Sequence, residues 1–446
     1  MKSIIVSSGA FFFLLNSLFL LLPVQASAAD SEFRPFVSLS EEVNDNIYEV
    51  ATGRSTDYIT RIRPGATYRY QSPLWTWDAA YTFEYRNYAK GSHGDEYNHD
   101  GSLRGHISLV DNFFFLDISD TYKRVTLDVS RNLSTETNLF VNQTDQNIAV
   151  FSPYLLWRLR GDNSLKTGYS FTDTNYLGGG TVTDKTGYRY TDSRNRGSEG
   201  IDKQEHRVYA DLAHEVTSKL SLSTGYSFTR LESDPSQYNK HDLSGGLKYE
   251  YADKSFVSVQ FGNSWQKFDG GDNVSNLFWN GTIIHDFNGA VVGTLEARAV
   301  LTEDPLVVST METTYRAKLD KAFPRGSAGG SVFYSEYVNT EKDVMDHRAQ
   351  GITATGRYEI MSNVTASLMS TVEKYSQQAA IQRVSGQQAT TEYPYRFTGT
   401  GGLSFAFNKE LTLSLTYTYT TERNGFRDAA GATDINRGVV EVKKTF

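Results

Sequence analysis

Arg61, Arg63 and Arg69 lie even numbers of residues apart in one alternating run, residues 56–71. In an extended chain such positions share a face, so the three guanidinium groups line up. A row of this kind holds a carboxylate or phosphate through forked hydrogen bonds. It pairs equally well with Asp78 and Glu84 of the run that follows. The same spacing places Arg86, Arg104, Arg158, Arg298, Arg316, Arg357 and Arg396 on the polar side of their own segments. Glu42, Asp117, Glu250, Glu296, Glu312, Glu359 and Glu441 share that side. Two readings stand here. One is a mildly cationic lumen that admits anionic or sugar solutes, because fixed charge biases permeation. The other is a structural lattice of cross-strand ion pairs.

Other chemistry is sparse. His93, Asp95, Glu96, His99 and Asp100 are of ligand type but irregularly spaced, so no metal site is expected from them. Asn44-Asp45-Asn46 and Asp272-Asn273 are loop-edge groups that could meet divalent ions. His106 falls on a polar face close to a turn at Asp111, and no Ser–His–acid set stands out. The chain is therefore expected not to be an enzyme and to carry no cofactor. It has no cysteine, which excludes disulfides and thiolate metal sites. The long segment 177–204 opens with Gly178-Gly179-Gly180 and carries Tyr188, Tyr190 and Arg194. A loop of this length can fold inward to constrict a pore, with tyrosines stacking on sugar rings. Its Gly and polar content equally fits a plain surface loop.

These residues need a scaffold, and one pattern supplies it from end to end. Leu411, Leu413, Leu415, Tyr417 and Tyr419 alternate with Thr412, Ser414, Thr416 and Thr418. Residues 220–228, 257–265, 291–299 and 75–86 keep the same beat. Each segment is a strand with one apolar and one polar face. Almost no stretch has a helical period, and after residue 28 none is apolar enough for a membrane helix. Short turns are expected near 72–73, 111–112, 161–164, 217–218, 253–254, 288–289, 324–326, 362–363 and 408–409. Asn288-Gly289 is the sharpest, as both positions accept positive φ. Longer loops alternate with them, near 48–57, 90–99, 128–146, 177–204, 232–241, 269–275, 302–309, 339–347, 376–392 and 421–434. The layout predicts an all-β, transmembrane antiparallel β-barrel of about 20 strands (18–22), with both termini in the periplasm. Lipid offers no hydrogen-bond partner, so the sheet must close. About 20 strands give a tube roughly 40 Å across, too wide for side chains alone to fill.

The chain begins with Lys2, an apolar run through Leu22 and the small-residue site Ala26-Ser27-Ala28. Residues 1–28 are expected to be a secretory signal peptide and 29–446 the barrel. The last residue, Phe446, with Val442 and Val440 at alternate positions, resembles the signal read by the barrel-assembly machinery; Lys444 departs from it. The expected location is the Gram-negative outer membrane, with outer-membrane lipid and that machinery as partners. A formal net charge of −8 argues against nucleic acid.

Residues 37–48, 56–70 and 77–88 contain Asp45-Asn46-Ile47-Tyr48, Thr56-Asp57-Tyr58-Ile59 with Ile62-Arg63-Pro64-Gly65, and tyrosines spaced along the third run. They resemble outer-membrane barrels that accompany exopolysaccharide gene clusters and the PEP-CTERM/exosortase sorting system. The resemblance implies a role near polysaccharide export, with export or periplasmic proteins as possible partners, and brings no catalytic residues. Three functions are open: exopolysaccharide passage or anchorage, a diffusion porin or anion-leaning channel, and a non-conducting barrel that sheathes or docks a partner protein.

Overall fold

The computed structural model describes residues 29–126, 143–160, 162–177, 181–183, 189–191, 200–234, 236–287, 289–305, 307–377, 395–423 and 432–446. The expected signal peptide lies outside them. The strands in chain order are β1 (Asp30–Asn44), β2 (Asp57–Gln71), β3 (Trp75–Tyr88), β4 (Glu96–Val110), β5 (Phe114–Thr126), β6 (Gln143–Arg158) and β7 (Asn163–Leu177). Two three-residue strands follow, β8 (Thr181–Thr183) and β9 (Arg189–Thr191), paired only with each other. Then come β10 (Lys203–Thr217), β11 (Leu220–Glu232), β12 (Tyr238–Ala252), β13 (Ser255–Phe268), β14 (Asn273–Asp286), β15 (Val291–Asp304) and β16 (Val307–Phe323). The last are β17 (Gly326–Asn339), β18 (Val344–Met361), β19 (Val364–Gln377), β20 (Tyr395–Ala406), β21 (Leu411–Arg423) and β22 (Ala432–Thr445).

Twenty strands form one sheet. Each pairs antiparallel with its chain neighbours, β7 pairs with β10, and β22 returns to β1. The sheet is a closed barrel, as the alternation requires. Closure leaves no strand edge, and every span can satisfy its backbone groups within the sheet.

Burial runs opposite to that of a soluble protein. In β1, Ser38, Ser40, Glu42 and Asn44 are buried while Val37, Leu39 and Val43 are exposed. Glu42 is 1% exposed and Leu39 52%. The polar parity faces the interior and the apolar parity faces outward, the arrangement that lipid selects.

All nine expected short turns separate consecutive strands. Asn112 (φ 56), Lys254 (φ 51) and Gly289 (φ 75) adopt the left-handed conformation there, as tight hairpins demand. Asn288 lies outside the described residues. The ladder between β2 and β3 skips Arg63 and Pro64, where proline has no N–H to give. One expectation fails: 302–309 is not an open loop. Strands β15 and β16 continue to Asp304 and Val307 and join as a hairpin.

Two parts of the long-loop end fold over the interior. Segment 45–56 packs Ile47 against Ile59 and Tyr88. Its backbone is tied down by Asn46, whose Nδ2 donates to Val50 O (2.7 Å) and Asp434 O (2.9 Å). On another sector, Val308 at the start of β16 joins Leu231, Tyr238 and Phe268 in a second apolar cluster, with Ile201 and Val274 against it.

Candidate functional site

The lumen is where chemistry can be done. Strand-to-strand partners share a face, so the inner face can be traced around the barrel from register alone. Arg61 stands opposite Ser40 and Arg86, Arg69 opposite Asp78, and Asp78 opposite Arg104. Arg158, Arg298, Arg316, Arg357 and Arg396 fall on the same face through Ser164, Thr314, Glu296, Ser327 and Glu422. All ten arginines expected in the lumen therefore share one inner surface.

Most of that charge is neutralised where it stands. Arg61, 2% exposed, lies 2.5 Å from Glu42. Arg437 donates to both oxygens of Glu42, at 2.6 and 2.8 Å. Arg63 pairs with Glu84 and reaches Glu441 at 3.5 Å. Arg86 pairs with Glu84 and approaches Glu96 at 3.5 Å. Arg298 donates to both oxygens of Glu312 at 2.9 Å, and Arg316 lies 4.0 Å from Glu296. Arg69 pairs with Asp78 at 2.9 Å in a solvent-exposed position. Arg158 donates to Asn112 at 3.3 Å. Of the two sequence readings, the lattice describes these pairs. The row Arg61, Arg63, Arg69 is divided among Glu42, Glu84 and Asp78 rather than gathered on one anion.

The wall formed by β18 to β21 is different in kind. Thr353 and Thr371 hydroxyls lie 3.2 Å apart, Thr398 and Thr420 3.5 Å, and Thr400 and Thr418 3.1 Å. Register continues these pairs into a hydroxyl ladder across the four strands. Closer to the short-turn end, His106, Phe115 and Tyr154 stack on neighbouring strands with centroids 5.5 and 5.2 Å apart. Lys166 Nζ caps the stack 3.9 Å from the Tyr154 ring. Asp117 holds His106 at 2.6 Å.

The second inward-folded sector turns on Lys203. This lysine is buried at the start of β10, and its ammonium donates to Asp304 O (2.6 Å) and Val307 O (2.8 Å). Ile201 N donates to Pro305 O at 2.7 Å. The tip of the β15–β16 hairpin thus reaches across four intervening strands to the start of β10. Gln266 on β13 supports it by donating to Ser309 Oγ at 3.0 Å. Among the described residues, this hairpin and segment 45–56 are the parts of the long-loop end that pack inward. Tyr188 and Arg194 lie outside the described residues, and only the backbone of Tyr190, in β9, is inside them. Lys203 and its hairpin were missed in the sequence. Their one signal was the broken alternation of Val307-Val308-Ser309-Thr310-Met311, where both parities are buried from Val308 onward.

The ligand-type residues of 93–100 diverge. His93 and Glu96 lie together on the inner side, 3.5 Å apart, Asp95 accepts from Tyr85 and Asn87, and His99 turns outward to Tyr81. Asp45 is occupied by Asn436, whose N and Nδ2 both donate to it at 2.7 Å. Phe446, directly after the last strand, is exposed, with its N–H donating to Pro35 O at 2.9 Å.

The chain matches no family model and no curated protein. It is similar in structure to outer-membrane receptors and transporters. A mutant of the ferric enterobactin receptor PfeA from Pseudomonas aeruginosa is 8% identical, with 94% of this chain and 81% of that chain covered and a TM-score of 0.52. The copper transporter OprC is 11% identical over 94% and 80%, with a TM-score of 0.55. The FrpB iron transporter from Neisseria meningitidis is 9% identical over 93% and 81%, with a TM-score of 0.51. At such identities the likeness is one of fold. The protein is a large transmembrane β-barrel of the outer-membrane type.

Proposed function

We propose that this barrel gives a polysaccharide passage through the Gram-negative outer membrane, with its long-loop end outside and its short turns in the periplasm. The observation that carries the reading is the character of the inner face. Most of its arginines are paired with carboxylates, and the β18–β21 wall presents threonine hydroxyls. Such a surface exchanges hydrogen bonds with a polyhydroxylated chain without holding it by net charge. The resemblance of residues 37–48, 56–70 and 77–88 to barrels of exopolysaccharide clusters points the same way. On this reading residues 1–28 are removed on export, Phe446 is read by the barrel-assembly machinery, and the periplasmic mouth meets export proteins. The test is a deletion strain. Secreted polysaccharide should fall severalfold while polymer accumulates in the periplasm; normal secretion removes the proposal.

A further inference from the structure

Three lumenal phenylalanines lean sideways onto glycines instead of projecting into the tube: Phe36 over Gly65, where Lys443 Nζ lies 4.4 Å from the ring, and Phe278 and Phe333, which share one sector. Phe278 on β14 stands directly opposite Gly262 on β13, and its ring tip occupies the place where a Cβ at Gly262 would be. Phe333 on β17 stands directly opposite Gly351 on β18 and does the same. Both rings are half-buried. A side chain lying along the wall has its inner side against the neighbouring strand and its other side toward the lumen. The wet parity of a barrel is an unfavourable place for bare phenyl surface, since apolar area left in water forgoes the gain from burial.

Polar residues lie between the Phe278 and Phe333 rings. Thr282 opposite Glu296, Glu296 opposite Arg316 and Arg316 opposite Phe333 form one row. Asn280, two residues from Phe278, stands opposite Arg298. Strands β14 and β17 are three spacings apart and the row through Phe333 meets β14 at Thr282, four residues from Phe278, so the rings are separated by about 20 Å of wall. Aromatic faces carry negative quadrupole potential and attract the electropositive C–H face of a pyranose. Amide, guanidinium and carboxylate groups beside them match the ring hydroxyls.

We propose that Phe278 and Phe333 are the two stacking platforms of an oligosaccharide-binding track, with Asn280, Arg298, Arg316 and Glu296 as its hydroxyl-binding groups. Each glycine is what lets its ring lie flat, and the ligand class is a pyranose-based oligosaccharide. The inference rests on the polysaccharide reading above and places its contact in one sector, β13 to β18.

The test uses the refolded mature chain in detergent micelles. Titration calorimetry is run with a neutral probe, maltohexaose or cellohexaose, and an acidic one, an alginate hexamer. Wild-type protein should bind at least one of them. The Phe278→Leu/Phe333→Leu pair, which keeps an apolar cover over the glycines, should weaken that binding by about tenfold or more. The Phe278→Tyr/Phe333→Tyr pair should retain it. Unchanged affinity in the leucine pair, or no binding of any probe by wild type, overturns the proposal. If the leucine pair does not fold, Asn280→Ala and Arg316→Ala carry the test: weaker binding supports the track and unchanged binding refutes it. A secretion defect in the deletion strain with no oligosaccharide binding would leave passage standing and remove only the platforms.

Discussion

Tyr226 Oη lies 2.9 Å from His241 Nδ1 on the adjacent strand, on the lipid-facing side of the barrel. Phe228 packs against the same imidazole with centroids 5.0 Å apart. The arrangement recurs twice more toward the long-loop end. Tyr81 and His99 are 2.7 Å apart with Phe83 alongside, and Tyr169 and His206 are 2.7 Å apart with Phe171 alongside. Each is a Tyr-x-Phe on one strand facing a His on the next. An amphipathic ring suits the membrane–water boundary, where one end meets lipid and the other water. The triads mark where that boundary falls on β3–β4, β7–β10 and β11–β12.

The Tyr226–His241 bond should contribute to stability as a pair. A double-mutant cycle with Tyr226→Phe and His241→Leu, followed by denaturant unfolding in lipid vesicles, should give a coupling of about 1 kcal/mol. Strictly additive effects would show that the two rings are neighbours without being partners.

Glu42 should be among the residues least tolerant of change. It is buried between Arg61 and Arg437, so Glu42→Gln leaves two guanidinium groups without their counter-charge. A loss of about 3–5 kcal/mol is expected. Asp78→Asn, which breaks the exposed pair with Arg69, should cost about 0–1 kcal/mol. Equal shifts in the urea midpoints of the two variants would contradict the burial seen here.

Lys203 should control how far the long-loop end is open. Lys203→Met removes the donors to Asp304 O and Val307 O, and hydrogen bonds to a charged group contribute about 1.5–3 kcal/mol. The hairpin tip should loosen, giving larger single-channel conductance in planar bilayers and faster proteolysis near Pro305. Wild-type conductance and wild-type cleavage would mean that the hairpin is held by the Leu231, Tyr238, Phe268 and Val308 cluster alone.

Ion selectivity should be weak. The inner-face arginines are largely paired, so the reversal potential across a salt gradient should stay close to zero, measured on Lys203→Met as the more open form. A pronounced anion preference would return the unpaired cationic lumen that the sequence also allowed.

The strand count, the turns and the inward facing of Arg61, Arg86, Arg298 and their kin were legible because each depends on a period of two. That period is local: which face a residue takes is decided by its immediate neighbours and by the demand of lipid for an apolar outer surface. Three features came only with the closed barrel. Glu42 meets Arg437 because β22 returns to β1, bringing together residues 395 apart. Lys203 meets Asp304 across 101 residues because a hairpin bends over the mouth. Phe278 and Phe333 recline because a glycine happens to stand opposite each in register. Alternation says which face a side chain takes. Which groups face one another across the tube depends on register and on the path of the chain over its rim, and those are set by the assembled sheet as a whole.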